Sequence, residues 1–224
     1  MNERMARVLA YMKRLVLWAL FVVLVLPVMY LFLLKYINPP ITPLMVLRTL
    51  QGYQFRHEWV DAPQRMRFAV VASEDNKFCV HQGFDWKALR WVLADAIEGD
   101  KSVSGASTIS MQTSKNLLLL PTRSVIRKAL EAYYTIWLEL LLDKPRIMQL
   151  YLNVIEYGRG VYGVEAASQY YFSRSAKQLT RRQAAQLAAI LPSPLHWSPR
   201  RKMRKARVLE RRIRQLGQYL RCVR

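Results

Sequence analysis

The sequence Ala-Ser-Glu-Asp-Asn-Lys-Phe-Cys-Val-His-Gln-Gly-Phe-Asp, residues 72–85, joins an apolar run to an amphipathic segment. The adjacent carboxylates Glu74 and Asp75 come directly after the apolar run. Gly83 then interrupts the chain, and Asp85 is a suitable N-cap for the next helix. Burial disfavours the charged form of a carboxyl group, so an acid in this setting is a candidate for a raised pKa. From these residues alone, the favoured interpretation is a helix that ends in a surface Glu-Asp pair.

A second apolar segment lies near the N-terminus. Leu15 to Leu34 is a run of twenty residues without a charged or strongly polar side chain. Such a helix spans about 30 Å, the thickness of the hydrocarbon core of a bilayer, and a membrane helix tolerates Pro27. A cleaved signal peptide is the alternative, but the run exceeds a typical signal core and no small-x-small cleavage site follows it. The sequence therefore predicts an uncleaved transmembrane helix.

The distribution of charge indicates how the chain is oriented. Arg4, Arg7, Lys13 and Arg14 precede the apolar segment, and a basic flank of this kind faces the cytoplasm. The rest of the chain then lies on the outer side of the membrane. The net charge of +20 indicates anionic partners such as lipid head groups, phosphates or an anionic polymer. Export argues against nucleic acid as the partner.

Beyond the apolar segment, helical periodicity dominates and few stretches alternate with period two, which predicts a mainly α domain. The longest predicted helix runs from Ser124 to Leu142. The C-terminal tail is either a basic amphipathic helix lying near lipid or a solvated tail. The expected organisation is a cytoplasmic basic tail (1–14), a transmembrane helix (15–35), a linker (36–50), a globular domain (51–199) and a basic C-terminal tail or helix (200–224).

Several familiar motifs are absent or fail in context. Gly158 to Gly163 matches G-x-G-x-x-G, but it follows a predicted helix that ends at Gly158, and no acid lies about twenty residues further on. We interpret it as a glycine-rich turn between helices. Neither Ser-x-x-Lys nor Gly-x-Ser-x-Gly occurs, and the three histidines lack metal-ligand spacing. Cys79 and Cys222 could pair in an oxidising compartment, but two free thiols are favoured.

Two further stretches contain polar residues in suggestive patterns. Gly105 to Thr108 opens a predicted helix with hydroxyl side chains, which suits either anion binding or an ordinary N-cap. Arg127 and Lys128 lie four and three residues before Glu131, a spacing that usually indicates a solvated face with salt bridges. The ordered motifs comprise Glu74, Asp75, Phe78, His81 and Gly83; Gly105 to Ile109 with Gln112, Lys115 and Asn116; Arg127, Lys128 and Glu131; and Ile147 to Gly158 with Tyr162 to Val164.

Together and in this order, the motifs resemble glycosyltransferase family 51, and more closely its monofunctional biosynthetic peptidoglycan transglycosylases. The resemblance covers roughly residues 55–195 and the anchor. It implies a lysozyme-like, two-lobed, mainly α catalytic domain behind a single N-terminal transmembrane helix. The expected location is the bacterial cytoplasmic (inner) membrane, with the catalytic domain on the periplasmic or outer side. Met111 departs from the family pattern because it stands where the first Gln of a pair is usual.

The resemblance also implies a reaction and roles for individual residues. Family members polymerise lipid II into β-1,4-linked glycan strands with inversion and release of undecaprenyl diphosphate, in cell wall synthesis. Glu74 is the expected general base, and Glu131 is the expected second acid that orients cations or a divalent metal. No transpeptidase activity is expected. The residues expected to bind substrate are Asp75, Phe78, His81, Ser107, Thr108, Gln112, Lys115, Asn116, Arg123, Arg127 and Lys128.

Partners and alternative functions follow from the same resemblance. The expected partners are lipid II, the lipid-linked growing glycan and the membrane, with other cell wall or division proteins as further candidates. No cofactor is required, although Mg²⁺ or Mn²⁺ at Glu131 is left open. Two alternatives stay open: a lysozyme-like lytic enzyme that cleaves glycan, and a non-catalytic membrane-tethered scaffold that binds wall polymers.

Overall fold

The protein is mainly helical, as the periodicity and the resemblance predict. The computed structural model describes residues 3–97, 105–122 and 124–224. The α-helices are α1 (Glu3–Leu20), α2 (Leu26–Leu33), α3 (Pro43–Leu50), α4 (Gln64–Glu74), α5 (Trp86–Ile97), α6 (Ile109–Leu118), α7 (Val125–Leu141), α8 (Lys144–Val154), α9 (Gly163–Phe172), α10 (Arg181–Ile190) and α11 (Met203–Leu216).

The N-terminal apolar segment forms one long helical rod. Helix α1 continues through a π-helical turn, Phe21–Val25, into α2. The stretch Arg7–Leu33 is 27 residues long and apolar enough to cross a membrane. Most of its side chains are exposed, whereas Leu31 and Leu34 are buried in the hydrophobic core of the domain. The end of the anchor is therefore continuous with the domain that follows it.

The rest of the chain packs as two groups of helices around one core. Helices α4, α10 and α11 pack against one another, and α6 packs against both α7 and α8. Helix α2 of the anchor packs on α7. Fully buried side chains such as Val70 of α4, Tyr151 of α8 and Leu187 of α10 belong to the same core cluster. Burial of these apolar side chains holds the two groups together and leaves the end of α4 facing α6.

A small sheet follows α8 and replaces the turn between helices that the sequence suggested. Helix α8 ends at Val154 rather than at Gly158, because the backbone after it pairs as a hairpin. The strands are β1 (Arg56–His57), β2 (Glu156–Gly158) and β3 (Val161–Tyr162) in the order β1-β3-β2. Strand β1 is parallel to β3, and β2 is antiparallel to β3 with an irregular register. Gly160, at φ +73°, makes the tight connection.

The helix starts agree with the capping residues in the sequence. Thr180 and Gln183 form a complete capping box at the start of α10. Asp85 accepts hydrogen bonds from the backbone N–H groups of Lys87 and Ala88. The other side-chain caps are Thr42, Thr108, Ser124 and Asp143.

The C-terminal segment packs on the domain and corrects the expectation of two free thiols. Ala206 and Leu209 of α11 are buried against the core, which turns the end of the chain back toward α4. Cys222 thereby reaches Cys79, and the two form a disulfide across a sequence separation of 143 residues. The expectation was wrong because this proximity arises from packing of α11, which cysteine spacing does not reveal.

Candidate active site

Glu74 is the last residue of α4, and its partly buried carboxylate is held from both sides. Ser73 Oγ lies 2.9 Å from Glu74 Oε1, and the amide of Gln112 on α6 donates to Glu74 Oε2 at 3.3 Å. Burial raises the pKa of Glu74, and Asp75 adds to this effect, while the hydrogen bonds and the charge of Lys205 oppose it. The burial that the sequence suggested for an acid in this setting is therefore present. Glu74 is not the fully solvated surface acid of the first interpretation.

Asp75 ties the loop after α4 to the start of α6. Its carboxylate lies 2.8 Å from His81 Nε2 and accepts the backbone N–H of Ile109 at 3.0 Å. Phe78, in the same loop, is fully buried, and Lys144 Nζ lies 4.5 Å from the centre of its ring. These contacts place three expected substrate-binding residues beside Glu74 as the packed support of its loop.

The start of α6 is anchored by Thr108. Its hydroxyl accepts the backbone N–H of Met111 at 3.1 Å and donates to the carbonyl of Gly83 at 2.5 Å. Ser107 accepts a hydrogen bond from Lys128 Nζ at 3.3 Å, which links this turn to α7. An N-cap is thus the observed role of Thr108, and Ser107 is in direct contact with the basic residues.

Gln112 is held by a tyrosine that the sequence did not single out as functional. The hydroxyl of Tyr151 donates to Gln112 Oε1 at 3.1 Å, and Tyr151 is fully buried. This bond fixes the amide so that its N–H₂ group faces Glu74. In the sequence, Tyr151 lies within the ordered motif Ile147 to Gly158 and on the apolar face of α8, a position typical of a core residue, and neither signal indicates a contact with α6.

A basic cluster surrounds a buried acid on α7. Arg127 and Lys128 each donate to one carboxylate oxygen of Glu131, which is only 2% exposed. Burial lowers the pKa of Lys115 on α6; Glu131 opposes that shift, and Arg127 and Lys128 add to it. A solvated salt-bridged face does not describe this cluster, because its central acid is buried. Asn116 is buried on α6 beside Lys115, and Arg123 lies outside the described residues.

Two adjoining cavities open beside these groups. A cavity of about 200 Å³ is lined by Glu74, Asp75, Ser107 and Thr108 among others. A larger one of about 1110 Å³ has a mostly apolar wall that includes Met111. Both are lined by Lys77, Asp85 and Ala106, so they meet along a shared wall.

The described residues do not assemble a metal site. Among residues 3–97, 105–122 and 124–224, no group of three or more His, Cys, Asp or Glu side chains is placed to hold a metal ion. Both carboxylate oxygens of Glu131 are already occupied by Arg127 and Lys128. The contacts of Glu131 therefore fit the orientation of cationic side chains better than the ligation of a metal ion.

Helix α11 adds two cations near Glu74 that the sequence did not indicate. The guanidinium of Arg212 donates to the carbonyl of Ala72 on α4 at 3.2 Å. Lys205 is close enough to lower the pKa of Glu74 through its charge. In the sequence these residues are indistinguishable from the other basic residues of the tail, and only the packing of α11 on α4 selects them.

Comparison with known proteins identifies the family. A family model described as Transglycosylase matches residues 45–219. The chain is 45% identical to a biosynthetic peptidoglycan transglycosylase of Caulobacter vibrioides, over 98% of this chain and 96% of that protein. Proteins of the same name from Nitrobacter winogradskyi and Rhizobium meliloti are 49% and 44% identical, over 74% and 90% of this chain and 74% and 88% of their own lengths. The chain belongs to the transglycosylase family.

Proposed function

We propose that this protein is a membrane-anchored peptidoglycan glycosyltransferase that polymerises lipid II into β-1,4-linked glycan strands. The catalytic domain comprises residues 51–199 with the C-terminal segment packed against them, and the anchor holds it on the outer side of the cytoplasmic membrane with the N-terminus inside. One observation carries the proposal: helix α6 connects the base to the cations. Its Gln112 contacts Glu74, and its Lys115 interacts with Glu131 one turn further on.

Glu74 acts as the general base of this reaction. Its carboxylate takes the proton of the GlcNAc 4-hydroxyl of the acceptor while that oxygen attacks the anomeric carbon of the lipid-linked chain. The bond from the anomeric carbon to the diphosphate oxygen breaks, and its electron pair leaves with undecaprenyl diphosphate. Attack from the opposite face inverts the anomeric centre. Ser73 and Gln112 hold the carboxylate in one orientation for this step.

The basic cluster stabilises the charge of the leaving diphosphate. Lys115, Arg127 and Lys128 supply positive charge, and the family resemblance adds Arg123. Glu131 pairs with two of these cations and holds their head groups in place before the substrate arrives. Preorganised cations stabilise a developing charge without reorganisation at the moment of reaction.

The membrane setting suits a substrate with a long lipid tail. The larger cavity reaches from His81 and Lys128 to the exposed apolar side chains of Trp86, Ile136 and Leu140. A polyprenyl chain can leave the site along such side chains and remain in the bilayer. The partners are therefore lipid II and the lipid-linked growing glycan, both presented by the membrane.

The test is polymerisation of fluorescent lipid II by the full-length protein in liposomes. We expect Glu74→Gln to lower the rate by about 10²- to 10⁴-fold, the usual contribution of a general base. The matched control is Glu58→Gln, which changes an exposed glutamate and should leave the rate unchanged. A near wild-type rate for Glu74→Gln would refute the assignment. Cleavage of finished, lipid-free glycan would instead support a lytic enzyme.

A further inference from the structure

The anchor helix contains a break in its regular backbone hydrogen bonding. Pro27 has no N–H group, so an α-helical ladder has no donor for the carbonyl of Val23, four residues earlier. The ladder changes just before this point, where the N–H of Leu26 bonds to the carbonyl of Phe21 across a π-helical turn. An unpaired carbonyl within the hydrocarbon core costs several kcal/mol, so this stretch requires an outside donor.

The catalytic domain supplies donors at this break. The hydroxyl of Tyr134 donates to the carbonyl of Val23 at 2.6 Å, and the hydroxyl of Tyr133 donates to the carbonyl of Leu24 at 3.1 Å. Tyr134 is 3% exposed, and the two rings pack edge to face with their centres 5.5 Å apart. Both tyrosines lie on α7, within about one turn of Glu131.

A second contact holds the far end of the anchor. Arg146 on α8 donates to the carbonyls of Leu34 and Ile37 at 2.7 and 2.6 Å. It also donates to the side chain of Asn38 at 2.9 Å. The two contacts are about 16 Å apart along the helix, because Val23 and Leu34 are eleven residues apart in sequence. Two separated attachments fix the direction of a rod, whereas one would leave it free to pivot.

We propose that Tyr133, Tyr134 and Arg146 are positioning residues that fix the tilt and depth of the membrane anchor relative to α7. Tyr134 donates to the carbonyl that residue 27 would serve in a regular α-helix, so we treat the proline and the tyrosine as a pair. Because α7 also carries Glu131 and its cations, the attachment sets the depth of the basic cluster relative to the bilayer. The effect on catalysis rests on the proposed function, whereas the geometry of the anchor does not.

The geometry is tested in full-length protein in nanodiscs, with spin labels at Leu17→Cys and Lys177→Cys, two exposed positions. Labelling without reductant leaves the Cys79–Cys222 disulfide intact. We expect a narrow distance distribution for the parent protein and a broad one for the Tyr133→Phe/Tyr134→Phe variant. The matched control is Tyr11→Phe, which removes an exposed hydroxyl from α1 and should leave the distribution narrow.

A double-mutant cycle tests the pairing of Pro27 with Tyr134. In a Pro27→Ala background, the restored N–H serves the Val23 carbonyl, so Tyr134→Phe should broaden the distribution far less than it does beside Pro27. Equal broadening in both backgrounds would overturn the pairing. An unchanged distribution in the double tyrosine variant would overturn the positioning role altogether.

The activity measurement separates positioning from general loss of structure. We expect the double tyrosine variant to lower kcat for lipid II in liposomes by up to about 5- to 30-fold, because the loss of two hydrogen bonds shifts the equilibrium between attached and detached anchor by that factor. Its rate on a short-chain, water-soluble lipid II analogue should stay at the wild-type level. Equal losses on both substrates would indicate a merely structural role. If wild-type protein polymerises neither substrate while the distances still respond, the proposed function fails and the positioning of the anchor stands.

Discussion

The pKa of Glu74 is subject to two opposing effects, a balance that suits the proposed role of general base. Burial disfavours its charged form, whereas Ser73, Gln112 and Lys205 favour that form. The pKa is raised overall, so the group binds a proton more readily than an ordinary glutamate does. No single neighbour accounts for this balance, which depends on α4, α6 and α11 meeting at one point.

The pH dependence of polymerisation should report the pKa of Glu74. The base must be unprotonated, so kcat/KM should rise with pH through that pKa, with a midpoint above the ordinary value for glutamate. Lys205→Met removes a charge that lowers the pKa, so the acid limb should move to higher pH. The matched control is Lys202→Met, because Lys202 lies over the ring of Trp197 on the same segment and does not act on Glu74. An acid limb that stays in place in Lys205→Met would contradict this assignment.

At the scale of residues, the sequence predicted roles for individual side chains but not the contacts between them. The motif residues Glu74, Lys115 and Glu131 could be given expected roles because their types and order resemble a known family. Tyr151 and Lys205 could not, because each comes near the site through packing between elements far apart in sequence. Tyr151 is 39 residues from its partner Gln112, and its position is also that of an ordinary core residue.

Helix α6 explains how one element serves two parts of the site. Gln112 points to Glu74, whereas Met111 is buried and lines the larger, mostly apolar cavity. The two residues therefore occupy different faces of the helix. The departure from the family pattern at Met111 changes the wall of that cavity and leaves the contact between α6 and the base intact.

The hairpin after α8 depends on a glycine that no other residue can replace cheaply. A Cβ atom at Gly160 would lie 2.2 Å from the carbonyl oxygen of Gln54, at φ +73°. We expect Gly160→Ala to cost more than about 3 kcal/mol and to lower the Tm by roughly 10 °C or more. Gly52→Ala is the matched control, since Gly52 also has a positive φ, +82°, with nothing within 4 Å of the added atom.

Thermal unfolding of both variants separates steric clash from backbone strain. Gly52→Ala should cost only the strain of a left-handed backbone, about 1–2 kcal/mol. If the Tm of Gly160→Ala equals that of Gly52→Ala, the backbone of the hairpin must shift to relieve the clash with Gln54 at little cost. In that case the contact between this turn and Gln54 would not stabilise the fold.

At the scale of elements, helices were predictable and the sheet was not. The capping signals at Asp85, Thr108 and Thr180 mark helix starts because the side chain bonds to the backbone of its own first turn. Strands of two or three residues leave no period-two pattern to detect. The apolar pattern of α8 also continues past Val154, and only pairing with β3 ends the helix there.

At the scale of the whole molecule, the C-terminal segment packs back onto the domain and completes its hydrophobic core. Helix α11 packs on α4 and α10, and the short helical turn Gly217–Val223 packs on α4 and α8. Leu220 and Val223 are buried in the core at the end of the chain. The sequence placed this segment outside the globular domain because its basic residues obscure a narrow apolar face. Packing on α4 brings it to within reach of the end of that helix that carries Glu74.

The Cys79–Cys222 disulfide attaches this C-terminal segment covalently to the rest of the domain. It joins the loop after Glu74 to the end of the chain, and the backbone N–H of Cys222 also donates to Cys79 Sγ at 3.3 Å. A link that closes so long a loop restricts the unfolded chain strongly, with a stabilisation of up to about 5 kcal/mol in the chain-entropy model. The position of the link means that opening it affects the surroundings of Glu74 as well as global stability.

We therefore expect Cys79→Ser/Cys222→Ser to lower the Tm and to move the acid limb of kcat/KM to lower pH. Without the link, α11 detaches more readily from α4, so Glu74 loses burial, the largest cause of its raised pKa, together with the smaller opposing charge of Lys205. Thermal unfolding and pH–rate profiles with and without reductant measure both effects. Reductant should reproduce them in the wild type and leave the double variant unchanged. If reduction lowers the Tm but the acid limb stays in place, the disulfide stabilises the fold without tuning the base.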